Sequence, residues 1–161
     1  MMSVRWIGLC LLLLQWTGCG SATGTAGATR TLDVTLAGER FTLELALTDE
    51  QRYRGLSDRD RIAPDGGMLF VFPDSARRTF VMRRCLVPID IAYVAHNGVI
   101  VSMHEMTVEP YDTPEHKLRR YDSGWPARYA IELAGGTMRR LGLRVGQQVE
   151  LPHDSLHAQV R

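Results

Sequence analysis

The first regular pattern along the chain is an alternation of apolar and polar residues that begins at Leu32. Apolar residues occupy every second position over 32–36 and again over 41–47, and a turn containing Gly38 separates the two runs. A period of two is typical of strands that bury one face. The pattern therefore predicts a β-hairpin.

A short helix is predicted directly after this hairpin. Thr48 and Gln51 have the spacing of a capping box, and the two residues after Thr48 are acidic, as the positive end of a helix dipole favours. Gly55 provides a stop signal. We therefore expect a helix over about 49–54.

Two more strands are predicted in the next stretch of chain. Residues 68–72 are continuously apolar and end at Pro73, which is typical of a buried strand. Residues 78–83 alternate again, so a further strand is expected there.

The strongest local signal is a second hairpin. Residues 89–96 and 99–106 are rich in β-formers, and Asn97-Gly98 joins them. This dipeptide favours a type I′ turn, because both central residues of that turn need positive φ.

The C-terminal third is more mixed and ends without a strong pattern. It is predicted to form, in order, a surface loop over 107–127, a strand over 127–133, a short helix after Gly135-Gly136, a closing strand over 144–151 and a loose tail over 153–161. The whole predicts one α+β, mainly β domain over 31–152: a small curled antiparallel sheet or barrel with short helices.

The N-terminal residues have the pattern of an export signal. Arg5 precedes an apolar run that is too short for a permanent membrane span, and small residues follow it. Residues 1–18 are therefore predicted to be a signal peptide. Thr17-Gly18-Cys19 is similar to a bacterial lipobox, in which the cysteine is lipidated, so Cys19 is the predicted lipidation site and 19–30 a flexible tether. An ordinarily cleaved signal and a retained anchor are the alternatives.

Composition narrows the function classes. Hydrophobic residues make up 45 % and charged residues 23 % of the 161 residues, as in ordinary globular domains. The net charge of +1 lacks the basic excess of a nucleic-acid binder, so no nucleic-acid partner is expected. Only Cys85 remains in the mature domain, which leaves no intramolecular disulfide.

Asp90 carries the main functional hypothesis. It lies in the middle of a predicted strand between apolar residues, where a carboxylate is costly unless it is paired or hydrogen-bonded. Arginines of the preceding helix and loops are the candidate partners. Either this contact only fixes the fold, or the acid forms part of a ligand pocket.

Two other kinds of chemistry are open. The first is soft-metal binding, for example of copper, through side chains that include Met82, Met103, Met106, His104 and Cys85. The second is hydrolysis of envelope material by two carboxylates about 5–10 Å apart in one cleft. The candidates for that pair are Asp90, Glu105, Glu109 and Glu132.

The chain from about residue 32 to 151 resembles the family known as domain of unknown function 192. The resemblance runs through four ordered blocks: DEQRYRGLSDRDRI, GGMLFVF, FVMRRCLVPIDIAYVAHNGVIVSMHEM and YDSGWPARYAIELAGGTMRRLGLRVGQQV. Residues that match the family's usual motifs are Arg52, Gly55, Leu56, Arg59, Gly67 to Phe72, Met82, Pro88 and Asp90.

The chain departs from the family's usual pattern at four positions. Ser57 stands where methionine is usual, and Val81, Arg84 and Cys85 replace tryptophan, asparagine and threonine. If these blocks line a pocket, the ligand of this protein differs from those of its relatives. The resemblance implies a compact, often exported β-rich domain with no established activity, cofactor or catalytic residue.

The leading hypothesis is therefore a lipid-anchored binding or accessory domain of the cell envelope. Its ligand would be a small polar or anionic molecule or a peptide, the membrane would be its partner through the lipid, and no cofactor or metal is predicted. The proposed pocket residues are Arg52, Arg59, Met82, Asp90, Tyr121 and Glu132.

Overall fold

The structure is a computed structural model that describes residues 29–160. The predicted signal peptide, Cys19 and nearly all of the tether lie outside these residues. No helix within them has the length and hydropathy needed to cross a membrane. The elements are β1 (Thr31–Leu36), β2 (Glu39–Ala46), α1 (Asp49–Arg54), β3 (Gly66–Ala76), β4 (Thr79–Phe80), β5 (Ile89–Val94), β6 (Ile100–Met106), a 3-10 turn (Glu115–Lys117), β7 (Tyr121–Asp122), β8 (Ala127–Ala134), α2 (Thr137–Leu141) and α3 (His153–His157).

The mainly β prediction is confirmed, and the main sheet has six strands in the order β1-β2-β3-β8-β5-β6. β2 and β3 are parallel, because α1 and a loop cross between them, and the other neighbouring strands are antiparallel. The sheet is thus mixed rather than purely antiparallel. Its edge strands β1 and β6 do not pair with each other, so among the described strands it stays open instead of closing into a barrel.

Both predicted hairpins form, but the type I′ turn belongs to the first. Ala37 and Gly38 have φ of 48° and 86°, as that turn requires. The second hairpin has a three-residue loop, in which the Gly98 N–H donates to the Ala95 carbonyl (3.0 Å) and only Gly98 has positive φ (87°). The type I′ prediction for Asn97-Gly98 was therefore wrong. A type I turn followed by a glycine bulge replaces it.

Each face of the main sheet is covered by a separate apolar cluster. One face, here called the C-terminal face, is covered by residues of α2, α3 and the chain between them, including Met138, Leu143 and Leu156. The other, here called the α1 face, is covered by the segment after α1 and by the loops before β5 and β8. Alternate residues of β3, β5 and β8 therefore point into different environments, although all six residues of β5 are buried.

Three local predictions differ from the structure. Strand pairing over 78–83 is limited to the two residues of β4, which pair with β7. The predicted strand over 144–151 is reduced to an isolated bridge between Val99 and Gln148. The predicted loose tail contains α3, because Leu156 is 1 % exposed in the apolar cluster of the C-terminal face.

Candidate functional site

A cavity of about 390 Å³ opens on the α1 face, between α1, β3, the segment 78–85 and β8. This volume is within the range of small-molecule sites. Its wall combines apolar rings with charged groups. The lining residues include Arg52, Phe70, Phe80, Arg83, Cys85 and Glu132.

Glu132 is the buried acid of this cavity. It lies in the middle of β8, opposite Met68 of β3 on one side and Ile91 of β5 on the other. The residue is 5 % exposed, and its Oε2 has no hydrogen-bond partner among the described residues. Burial raises the pKa of this carboxyl to about 8, and the charge of Arg59 opposes the shift only in part. Glu132 therefore holds a proton at neutral pH when the cavity contains no ligand.

Aromatic rings form the apolar part of the wall. Phe70 projects from β3 to the same face as Glu132, and its ring meets that of Phe80 edge to face with centroids 4.9 Å apart. Phe72 lies further along β3 and faces two guanidinium groups, those of Arg78 at 4.1 Å and Arg52 at 5.7 Å. A ligand in this cavity would contact both ring surfaces and charge.

The arginines around the cavity are held by acids and carbonyl groups. Arg52 donates to the Val71 carbonyl (2.8 Å) and pairs with Asp49 (2.7 Å). The remaining pairs are Arg54 with Glu50 (2.9 Å), Arg78 with Asp74 (2.5 Å) and Arg83 with Glu115 (3.0 Å). Their positive charge is therefore largely balanced before any ligand enters.

Arg59 lies beside the cavity and pairs with a different acid. Its guanidinium makes two hydrogen bonds to the Glu44 carboxylate, at 2.5 and 2.7 Å. The strand register places Glu44, Met68 and Glu132 in one row across the sheet, so Met68 separates the two acids. Arg59 thus acts on Glu132 through its field and not by direct contact.

Cys85 lines the cavity but does not have the properties of a nucleophile. Burial, helped by the charge of Glu132, raises the pKa of its thiol to about 12, and Arg83 opposes this only weakly. The thiolate is the reactive form of cysteine. Cys85 is therefore a thiol at physiological pH.

Asp90 does not have the predicted arginine partner. Its side chain points to the C-terminal face, where Oδ2 accepts the backbone N–H of Met138 at 2.8 Å. None of the ion pairs within residues 29–160 includes it. Gly136, the residue before α2, makes no side-chain cap, so Asp90 caps this helix from across the fold.

The other proposed pocket residues divide between wall and core. Arg52 and Glu132 line the cavity, and Arg59 lies next to it. Met82 and Tyr121 are 1 % and 2 % exposed in the apolar cluster of the α1 face and do not line the cavity. The sequence reasoning considered Arg83 only as a partner of Asp90 and missed Phe70, Phe80 and Arg78. Their convergence depends on the path of the loop before β5.

The four candidate carboxylates do not meet in this cavity. Of the four acids considered, Glu132 alone lines this cavity. Glu105 is exposed and pairs with Arg139, Glu109 accepts a backbone N–H from the loop before β7 (3.0 Å), and Asp90 lies on the opposite face. Asp90 and Glu105 are opposite each other in the β5–β6 register, but Asp90 is 1 % exposed and bonded to Met138, so the pair does not share the cavity of the α1 face.

The candidate soft-metal ligands do not all share one face of the sheet. Met82, Met106 and Cys85 are buried in the cluster of the α1 face, whereas Met103 contacts the cluster on the other face. His104 is held by the Asp122 carbonyl through Nε2 (2.8 Å). Within the described residues, no group of three or more His, Cys, Asp and Glu side chains is placed to hold a metal ion.

Comparison with known proteins identifies the family. Residues 32–151 match the sequence profile of DUF192, whose description is "Uncharacterized ACR". The chain belongs to the DUF192 family. No protein in a search of curated sequences matches it.

Two solved structures resemble this DUF192 protein. A candidate transcription regulator from Sinorhizobium meliloti 1021 is 33 % identical with a TM-score of 0.64, over 76 % of this chain and 93 % of that one. A protein of unknown function from Novosphingobium aromaticivorans DSM 12444 is 27 % identical with a TM-score of 0.68, over 79 % of this chain and 89 % of that one.

Three of the four departures from the usual DUF192 pattern line the cavity: Ser57, Val81 and Cys85. Arg84, the fourth, lies outside its wall in the left-handed region (φ 52°), a conformation that asparagine tolerates better than arginine. It is held there by hydrogen bonds to Asp58 (3.0 Å) and Tyr111 (2.8 Å). The chain's own residues thus give this cavity a wall that differs from the family's usual one.

Proposed function

We propose that this DUF192 protein is a binding domain of the bacterial cell envelope, anchored by a lipid on Cys19, whose ligand occupies the cavity of the α1 face. The observation that carries the proposal is Glu132. A buried carboxyl oxygen without a partner is rare in folded proteins, since it costs about 1–3 kcal/mol. That cost is understandable where a ligand supplies the missing contact.

The composition of the cavity wall supports binding in preference to catalysis. Apolar rings with a few polar groups are typical of ligand sites. The other two acids of the wall, Asp49 and Glu115, are paired with Arg52 and Arg83, and the Cys85 thiol has a raised pKa. The Sinorhizobium relative is described as a transcription regulator, but the net charge of +1 of this chain does not favour a DNA-binding surface.

Ligand binding in the cavity can be tested by NMR with the mature domain. Small compounds of different charge would be added while the backbone amide signals of the β3 and β8 residues at the cavity are followed. Val81→Trp places the family's usual bulky residue in the wall and should abolish these shifts. Val145→Trp, at a valine that is 61 % exposed, is the matched control and should leave them unchanged. Shifts that persist in Val81→Trp would place the ligand elsewhere and contradict the proposal.

The envelope location rests on the N-terminal sequence and has its own test. Cys19→Ser removes the thiol that a lipid would modify, so the protein should move from the membrane fraction to the soluble fraction. Cys10→Ser, within the predicted signal peptide, is the control and should stay with the membrane. Unchanged fractionation of Cys19→Ser would refute the lipid anchor while leaving the cavity proposal intact.

A further inference from the structure

We propose that the group bound in this cavity is an organic cation with N–H donors, such as a primary alkylammonium, with Glu132 as its counter-ion. This inference rests on the proposed function, since it names the class of ligand for the same cavity. It differs from the small polar or anionic ligand expected from the sequence.

The balance of charge around the cavity points to a cation. Three carboxyl groups line the wall. Asp49 is paired with Arg52 and Glu115 with Arg83, whereas none of the ion pairs among residues 29–160 includes Glu132. An anionic ligand would need arginines without acidic partners, and each arginine of the wall has a carboxylate within 3.0 Å. Glu132 is therefore the acid of the wall that has no cationic partner of its own, and a ligand cation could become its counter-ion when it ionises.

The hydrogen-bonding needs of an ionised Glu132 would be met by a ligand that donates. A protonated carboxyl can donate as well as accept, but once Glu132 is ionised its oxygens only accept, and Oε2 has no donor among the described residues. An ammonium group carries up to three N–H donors and would satisfy this oxygen while compensating its charge. An alcohol could donate one hydrogen bond but would leave the charge unmatched.

The surrounding rings favour the same ligand. Phe70 and Phe80 line the cavity with Glu132, and a cation near a ring face gains roughly 0.5–2 kcal/mol, with the larger values where water is excluded. Phe72 already faces the guanidiniums of Arg52 and Arg78. None of the cation–ring contacts within residues 29–160 involves Phe70 or Phe80. Of these two rings Phe80 is the more accessible to a ligand cation, because it is only partly buried whereas Phe70 is 1 % exposed.

Binding of a cation is coupled to loss of a proton. With a pKa of about 8, Glu132 is mostly protonated at pH 7, so an ammonium ligand has to displace that proton into the buffer. Of the groups facing it, Cys85 and Tyr93 have raised pKa values, and Arg59 is a cation already bound to Glu44. The guanidiniums of Arg52 and Arg83 keep their charge at these pH values. The released proton is therefore that of Glu132.

Isothermal titration calorimetry with n-butylammonium, n-butanol and butyrate tests the inference. The mature domain would be titrated at pH 7 in phosphate and in HEPES, which differ in ionisation enthalpy and contain no primary amine. We expect butylammonium to bind best and to release about one proton, and its affinity to rise about tenfold from pH 6 to pH 7 and level off above pH 8. Glu132→Gln should weaken it at least tenfold and abolish the pH dependence. Glu105→Gln, at an exposed acid, is the matched control and should change neither.

The possible failures are distinguishable. If butyrate binds and butylammonium does not, and Val81→Trp abolishes the butyrate signal, the cation inference is wrong while the proposed ligand cavity stands. If butylammonium binds without proton release or pH dependence in the wild-type protein, Glu132 is not its counter-ion and the inference is also wrong. If no compound gives a signal that Val81→Trp removes, both the inference and the cavity proposal fail.

Discussion

Glu132→Gln should stabilise the protein relative to the wild type, and this difference should grow as the pH rises. The reason is that the substitution removes a carboxyl that the folded state cannot ionise easily. In the unfolded chain this group ionises near its ordinary pKa of 4.5, whereas burial raises the pKa to about 8 in the folded protein. Between these values the folded state binds more protons, so the free energy of unfolding falls by about 1.4 kcal/mol per pH unit. The wild-type protein thus keeps the full contribution below pH 4.5 and loses roughly 5 kcal/mol by pH 8.

The glutamine variant lacks this titration. The difference in unfolding free energy between variant and wild type should therefore grow by roughly 5 kcal/mol from pH 4.5 to pH 8 and stay constant above that. Urea denaturation followed by far-UV circular dichroism at pH 5, 6, 7 and 8 measures it, and Glu105→Gln controls for loss of an exposed acid. A difference that does not change with pH would show that the folded protein ionises Glu132 normally, and the account of its environment would be refuted.

Three further predictions concern residues around the site. Asp90→Ala should lower the unfolding free energy by about 1–3 kcal/mol, because the buried Met138 N–H loses its acceptor, whereas Asp90→Asn should retain most of the stability. Urea denaturation of both variants measures this, and equal losses would contradict it. Gly67→Ala should lower the unfolding free energy by at least roughly 3 kcal/mol or prevent folding, since the added Cβ would lie 2.2 Å from the Glu132 carbonyl oxygen and Gly67 has a φ of 150°. Gly146→Ala is the control: this glycine also has positive φ but open space around it, so its loss of stability measures backbone strain without the clash. Cys85 should react with iodoacetamide at pH 7.5 more slowly in the native protein than in the urea-unfolded protein. Equally rapid labelling of the native protein would contradict its raised pKa.

The sequence predicted elements well where the signal was local. The capping box at Thr48 and Gln51 forms with both of its hydrogen bonds, and the alternation of the first hairpin matches β1 and β2. Such features depend on contacts within a few residues, so a short window of sequence contains them. The longest apolar alternations likewise gave β5, β6 and β8.

Features that depend on distant partners could not be predicted in this way. The strand expected over 144–151 has β-forming residues, but most of its backbone finds no neighbouring strand, because the sheet edge at β6 is bridged only at Val99. The expected loose tail folds because Tyr129, more than twenty residues away, hydrogen-bonds His153 (2.8 Å) and His157 (3.0 Å). These two histidines are four residues apart on one helix face, a spacing that could have indicated the helix.

The candidate site illustrates the same limit in a single comparison. Asp90 and Glu132 are both acids in the middle of apolar strands, and β5 and β8 are direct neighbours in the sheet. The sequence pattern placed both acids among the pocket residues and gave the greater weight to Asp90. In the structure the two acids lie on opposite faces of the sheet. Asp90 accepts a hydrogen bond from the backbone N–H of Met138, 48 residues later in the chain, whereas Glu132 lines the cavity and has an unpartnered oxygen. A buried acid therefore indicates a ligand site only when the fold leaves part of its hydrogen-bonding capacity unused.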